Sequence, residues 1–117
     1  MTRLEKPRIL CVSRSSSQLE AICSALPRRE YEVISATTPE QAVAVCVSNH
    51  LAAVVLGSEF STETGWSAAR TFKMVKPDLL VVLLGHDHQR QPPHGVDAVA
   101  LDCSAIQHKL NELLNRR

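Results

Sequence analysis

At 117 residues the chain has the size of one domain, since a single core usually serves roughly 100 to 150 residues. Hydrophobic residues at 44% and charged residues at 21% exclude the composition of a disordered polymer, and a formal charge of +1 excludes a field strong enough to hold nucleic acid or an anionic membrane. No apolar run approaches the roughly 18 to 20 residues that span a bilayer, and the N-terminus has no apolar signal core, so a cytoplasmic protein is expected.

The first element is the apolar run Arg8 to Ser13, bounded by Pro7 and a serine cluster, which reads as a buried parallel strand. Ser15, Ser16 and Ser17 supply N-cap oxygens for a first helix, with Gln18 and Glu20 placed for capping-box contacts. Leu19, Ile22, Cys23 and Leu26 form its apolar stripe, which stops at Pro27. Tyr31 to Ser35 alternates like a second strand. Thr38-Pro39-Glu40-Gln41 then joins an N-cap threonine, a proline at the first helical position and a glutamine two residues on, opening a helix that runs to about Asn49.

Leu51 to Leu56 makes a third buried strand closed by Gly57, and a polar loop follows from Ser58 to Thr64. Trp66 to Lys76 carries Ala69, Phe72 and Val75 at helical spacing and ends before Pro77. Leu79 to Leu84 is the most apolar run, a central strand. Val96 to Leu101 is a milder fifth strand, and Ser104 opens a last helix striped by Ile106, Leu110, Leu113 and Leu114. Only nine residues, His86 to His94, separate Gly85 from Gly95, fewer than a crossover helix needs, so the fourth crossover helix is expected to be missing or shortened.

Alternating strands and helices with short links imply an α/β fold with a doubly wound, five-stranded parallel sheet in the order 2-1-3-4-5, and one domain over residues 1–117. Ligands of such sheets bind beyond the carboxyl ends of the strands, which directs attention to Ser13 to Ser15, Gly57 to Thr64, Gly85 to His88 and Asp102 to Ser104.

With Arg8 to Val12 as first strand, Tyr31 to Ala36 leading to Glu40-Gln41-Ala42, Leu51 to Leu56, Gly65 eight positions after Gly57, and Gly95-Val96-Asp97, the chain resembles the receiver domain of bacterial response regulators across about its whole length. The resemblance implies a flavodoxin-like fold and a role in two-component signalling. In that family two acids ending the first strand hold Mg²⁺, an aspartate ending the third accepts a phosphoryl group, a hydroxyl residue ends the fourth and a lysine ends the fifth. The corresponding positions here are Ser13 and Arg14, Gly57, Gly85 and Asp102, and all five depart from the pattern. Glycine offers no nucleophile, and a serine beside an arginine does not replace paired carboxylates around a hard cation. The chain is therefore expected to be a degenerate, phosphorylation-independent pseudo-receiver.

His86, His88 and His94 are borderline ligands for zinc, nickel or copper, but His-x-His on a proline-containing loop has no enforced geometry, and neither a metal nor a cofactor is expected. Glu59 and Glu63 flank the vacant acceptor position and read most simply as solvated acids. Ser58 or Ser67 with a histidine lacks the Gly-x-Ser-x-Gly frame and an oriented acid, so no enzyme is expected. Cys11, Cys23, Cys46 and Cys103 lack CxxC spacing and read as buried thiols in a reducing compartment.

Without the fourth helix, one face of the last two strands would lose its cover, which marks Val82, Leu83, Ala98 and Ala100 as an interface for a protein partner or a second copy; Trp66, next to the strand-end rim, reads as a partial core residue or a further anchor. The functional expectation is a regulator acting by protein contact, with no nucleic acid and no membrane among its partners. The alternative is a small-ligand, anion or metal-binding domain using the vacated cleft around Ser13, Arg14, Ser58 and His86.

Overall fold

The computed structural model of the chain describes residues 6–58, 63–85, 96–100 and 102–115, with the backbone alone for 63–68. Strand β1 is Arg8–Val12, helix α1 Ser16–Ser24, β2 Glu32–Ala36, α2 Pro39–Ser48 and β3 Ala53–Leu56. Helix α3 is Glu63–Val75, β4 Leu80–Leu84 and β5 Ala98–Ala100; a 3₁₀ turn, Cys103–Ala105, leads into α4, Ile106–Asn115.

All five strands are parallel in the order β2-β1-β3-β4-β5, the doubly wound flavodoxin-like arrangement. Continuous apolar runs form these strands because both faces of the sheet are covered, and successive side chains point to opposite faces. Leu10, Val12, Val54, Leu56, Val81 and Leu83 enter one core layer with Ala42 and Cys46 of α2 and Ala69 and Phe72 of α3. Ile9, Cys11, Val55, Val82, Leu84 and Ala100 enter the other with Ile22 of α1 and Ile106, Leu110 and Leu113 of α4. Helices α1 and α4 thus cover one face, α2 and α3 the other.

Helix α2 starts where the sequence says it should. Thr38 Oγ1 accepts from Gln41 N at 3.1 Å, and Gln41 Oε1 reaches back one residue further than a standard capping box, accepting from Thr37 N at 2.8 Å. Helix α3 begins at Glu63, three residues before the expected start at Trp66, so Gly65 lies within the helix instead of opening it. A glycine inside a helix costs about 1 kcal/mol against alanine, which the packing of Ala69 and Phe72 offsets.

The expected open sheet face is corrected by the burial. Val82 and Ala100 have no exposure and pack against the α1 and α4 side, while Leu83 is 4% exposed and packs against the α2 and α3 side. Only Ala98 of that set is half-buried, and it too lies against a core layer. The proposed interface of Val82, Leu83 and Ala100 is therefore interior surface of the chain. The Trp66 side chain and the stretch 86–94, where the fourth crossover would fall, lie outside the described residues. Val47 on α2 and Met74 on α3, 65% and 82% exposed, are the large apolar side chains that stand in solvent among the described residues.

Candidate functional site

The carboxyl ends of β1, β3 and β4 meet at one rim of the sheet. The register places Val12 beside Leu56 and Leu56 beside Leu83, so Ser13 and Gly57 follow side by side and Gly85 lies one residue further along β4. Backbone bonds continue the ladder past the strands: Gly57 N donates to Val12 O at 2.8 Å, Ser13 N to Ala36 O at 3.2 Å and Gly85 N to Ala100 O at 2.9 Å. Gly57 and Gly85 are buried, so backbone alone lies where side-chain chemistry would have to be.

Ser13 is the one polar residue with a fully buried side chain among the described residues, at 0% exposure. Its hydroxyl oxygen accepts from Ser15 N at 3.1 Å, and its proton has two acceptors in range, Ser15 O at 3.3 Å and Gln18 Oε1 at 3.4 Å. By taking the N–H of the residue that caps α1, Ser13 does the work that a capping box would assign to Gln18. Ser15 Oγ meanwhile accepts from Gln18 N at 3.3 Å.

The Gln18 carboxamide is consequently released for a contact across the rim. Its Nε2 donates to Ser58 Oγ at 2.8 Å and its Oε1 accepts from Ser58 N at 2.9 Å, a two-pronged bond between the first turn of α1 and the residue after Gly57. The expectation that Gln18 serves the helix cap is thus corrected. The partners are 40 residues apart, and no spacing rule within one helix or loop links them.

Ser13, Gln18, Gly57 and Ser58 form a neutral network of hydroxyls, amide and backbone, with no carboxylate to bind a hard cation and no base to activate a serine. Arg14 is exposed at its edge. Asp102, at the far side of the rim, is also exposed; its Oδ1 accepts from Ser104 Oγ at 2.6 Å and its carbonyl accepts from Ala105 N at the 3₁₀ turn. Asp102 thus shapes the turn that leads into α4. Among the described residues no group of three or more metal-ligating side chains converges. The side chains of His86, His88, His94, Glu59, Glu63 and Ser67 lie outside the described residues.

The four cysteines are free, but they are not equivalent. Cys11 and Cys46 are buried, whereas Cys23 and Cys103 are half-exposed, which corrects the expectation of four buried thiols. Burial pushes the Cys46 and Cys103 thiols up, aided at Cys103 by the charge of Asp102. Cys11 and Cys23 are pushed in opposite directions: the neighbouring Cys11 thiol, with help from Arg28, lowers Cys23 to about 7, while the Cys23 thiol and burial push Cys11 up.

No family model matches the chain. No curated protein matches it either. Solved structures do. A CheY-like response regulator receiver domain from Methanospirillum hungatei JF-1 superposes with a TM-score of 0.80 at 17% identity, covering 96% of each chain. The response regulator TrrA from Thermotoga maritima, in complex with Mg²⁺ and BeF, gives a TM-score of 0.76 at 22% identity over 92% of this chain and 98% of that one. TrrA in complex with the histidine kinase ThkA gives 0.76 at 24% identity, again over 92% and 98%. The fold expected from the sequence is the fold found.

Proposed function

We propose that this chain, which has the fold of response-regulator receivers, is a phosphorylation-independent signalling module that acts through protein contact in a bacterial cytoplasm and catalyses nothing. The observation that carries the reading is the Gln18 bridge to Ser58 beside Gly57. A receiver uses this rim to hold a cation and a phosphoryl group and to feel their arrival. Here the side chains at the rim bond one another, so the resting geometry is already tied together without a ligand. Among the described residues of the rim, Ser13, Gln18, Gly57 and Ser58 supply neither the nucleophile nor the paired carboxylates of phosphotransfer.

The ligand-cleft alternative is less well supported by the same bonds. Ser13, Gln18 and Ser58 satisfy each other, and an incoming anion would have to break a two-pronged amide bond to reach the serine hydroxyl. For the partner, a solved complex offers a class to test: TrrA is seen bound to a histidine kinase. A protein of that class, or a second copy of this chain, is the occupant we infer.

The test is incubation of the purified chain with acetyl phosphate and Mg²⁺, followed by intact mass. No phosphoryl adduct is expected on the wild type, and an acid-stable or hydroxylamine-labile adduct would overturn the reading. Sedimentation velocity across a wide concentration range, alone and with a histidine kinase domain, reads the protein contact directly. A strict monomer that binds no kinase domain would remove both inferred partners.

A further inference from the structure

The sheet ends on one side at β2, where the backbone alternates between two directions. Glu32 N donates to Pro7 O at 3.0 Å and Ala36 O accepts from Ser13 N at 3.2 Å, so Glu32, Ile34 and Ala36 turn their backbone groups to β1. Val33 and Ser35, between them, turn an N–H and a C=O each to the open edge, beyond which no strand lies among the described residues. Val33 and Ile34 are half-buried, one against each core layer, and Ser35 is exposed.

Sheet edges are ordinarily blunted by a proline, a lysine, a bulge or a very short strand. At the other edge β5 has three residues, whereas β2 has five, pairs with β1 in unbroken register and contains neither proline nor lysine. Its one charge, Glu32, is engaged by Arg8 Nε at 3.1 Å.

We propose that β2 is an interface between two copies of this chain, which pair antiparallel about Ile34 and so join their sheets into one. Such pairing rests on the chain acting by protein contact, and gives that contact a surface. The occupant is a second copy because the edge is complementary to itself. With Ile34 opposite Ile34 of the second copy, Val33 falls opposite the second copy's Ser35, and Ser35 opposite its Val33. These residues carry the outward groups on both strands, so each pair exchanges both of its backbone bonds about a two-fold axis. Ile34 meets Ile34 as a close β-branched pair at the axis. Glu32 faces Ala36 of the second copy, so like charges are not opposed, and a formal charge of +1 leaves little repulsion between copies. A slip of one residue would set outward groups against inward ones and lose the bonds, which fixes the register.

The experiment uses the full chain, with sedimentation velocity across a wide concentration range and amide hydrogen exchange by NMR at both ends of that range. A dimer is expected, in which the Val33 and Ser35 amides exchange at least about tenfold more slowly than in the dilute chain. The Ile34 amide, turned to β1, is the internal control. Ser35→Pro removes an outward donor without touching the β1 ladder and should weaken the dimer about tenfold, since both copies lose a bond. Ser35→Lys, at an exposed position, should weaken it as well by placing two cations diagonally across the axis, and this variant keeps the test open if the proline variant does not fold. Pairing through β2 is overturned by a monomer at every concentration, by a dimer whose Val33 and Ser35 amides exchange unchanged, or by a dimer that Ser35→Lys does not weaken. A monomer that binds a histidine kinase domain would overturn the pairing and leave action by protein contact standing. A phosphoryl adduct would overturn phosphorylation independence whatever the oligomeric state.

Discussion

The two ends of the sheet are held by opposite kinds of chemistry. At the carboxyl end, Gln18, Ser13 and Ser58 tie α1 to the residue after β3 with uncharged groups. At the amino end, Asp97 accepts from Lys73 Nζ at 2.7 Å and from Val81 N at 2.8 Å, tying the start of β5 to α3 and β4 with a charge-assisted clamp. In the fold this chain shares, the carboxyl end is where charge would do chemistry. Among the described residues the charge-assisted tie thus lies at the amino end of the sheet and the uncharged one at the carboxyl end.

Breaking the clamp should cost most. Asp97→Ala leaves the Val81 N–H without its acceptor in a part-buried place and removes the partner of Lys73, so a loss of about 1 to 3 kcal/mol is expected in urea unfolding. Gln18→Ala comes next, at about 1 kcal/mol, because water reaches half-buried Ser58 and replaces part of the lost bonding. If Gln18→Ala cost as much as Asp97→Ala, the neutral rim would be the stronger tie and the contrast would fail.

Lys73→Met should be smaller, about 0.2 to 1 kcal/mol, and should shrink further at high salt, since both partners are about a quarter exposed. The Gln18 effect should be insensitive to salt, which separates the two rims by mechanism and not only by size. The smallest effect concerns Cys23, whose lowered value means the fold favours its thiolate. Its contribution to stability grows as pH rises from about 7 towards 9.0, is lost as pH falls through about 7, and is opposed above 9.0 by Cys11, which the fold keeps protonated. Iodoacetamide labelling of Cys23 against pH should accordingly reach half its maximum near 7.

Much of the fold could be read from residue order, because a strand buried on both faces must be apolar without interruption, and Leu51 to Leu56 and Leu79 to Leu84 have no other economical structure. Thr38 and Pro39 announced α2 for the local reason that caps are local. The rim was harder. Ser13 and Gly57 were found by their places at strand ends, but Gln18 was assigned to its own helix because its true partner is 40 residues away, and the amide that bonds Ser58 is invisible to any window that short. The β4 and β5 face misled for a similar reason: Val82 shares its core layer with Ile106, Leu110 and Leu113 of the last helix, which comes only after β5 in the chain. Gly65 misplaced the start of α3 because a helix sustained by tertiary packing tolerates a weak former.

The last helix packs on β4 and β5 and is tied as well to early parts of the chain. Tyr31 Oη donates to Asn111 Oδ1 across 80 residues, Gln107 reaches Glu30 across 77, and the apolar side of α4 rests on Ile9, Cys11 and Ile22. During synthesis, therefore, β1 and α1 emerge long before the segment that covers them, and their apolar layer stays wet until residue 113 has left the ribosome. Closure of so long a loop makes docking of α4 a late event in folding, and the nascent chain passes through a stage in which half of its core is a surface that chaperones can hold.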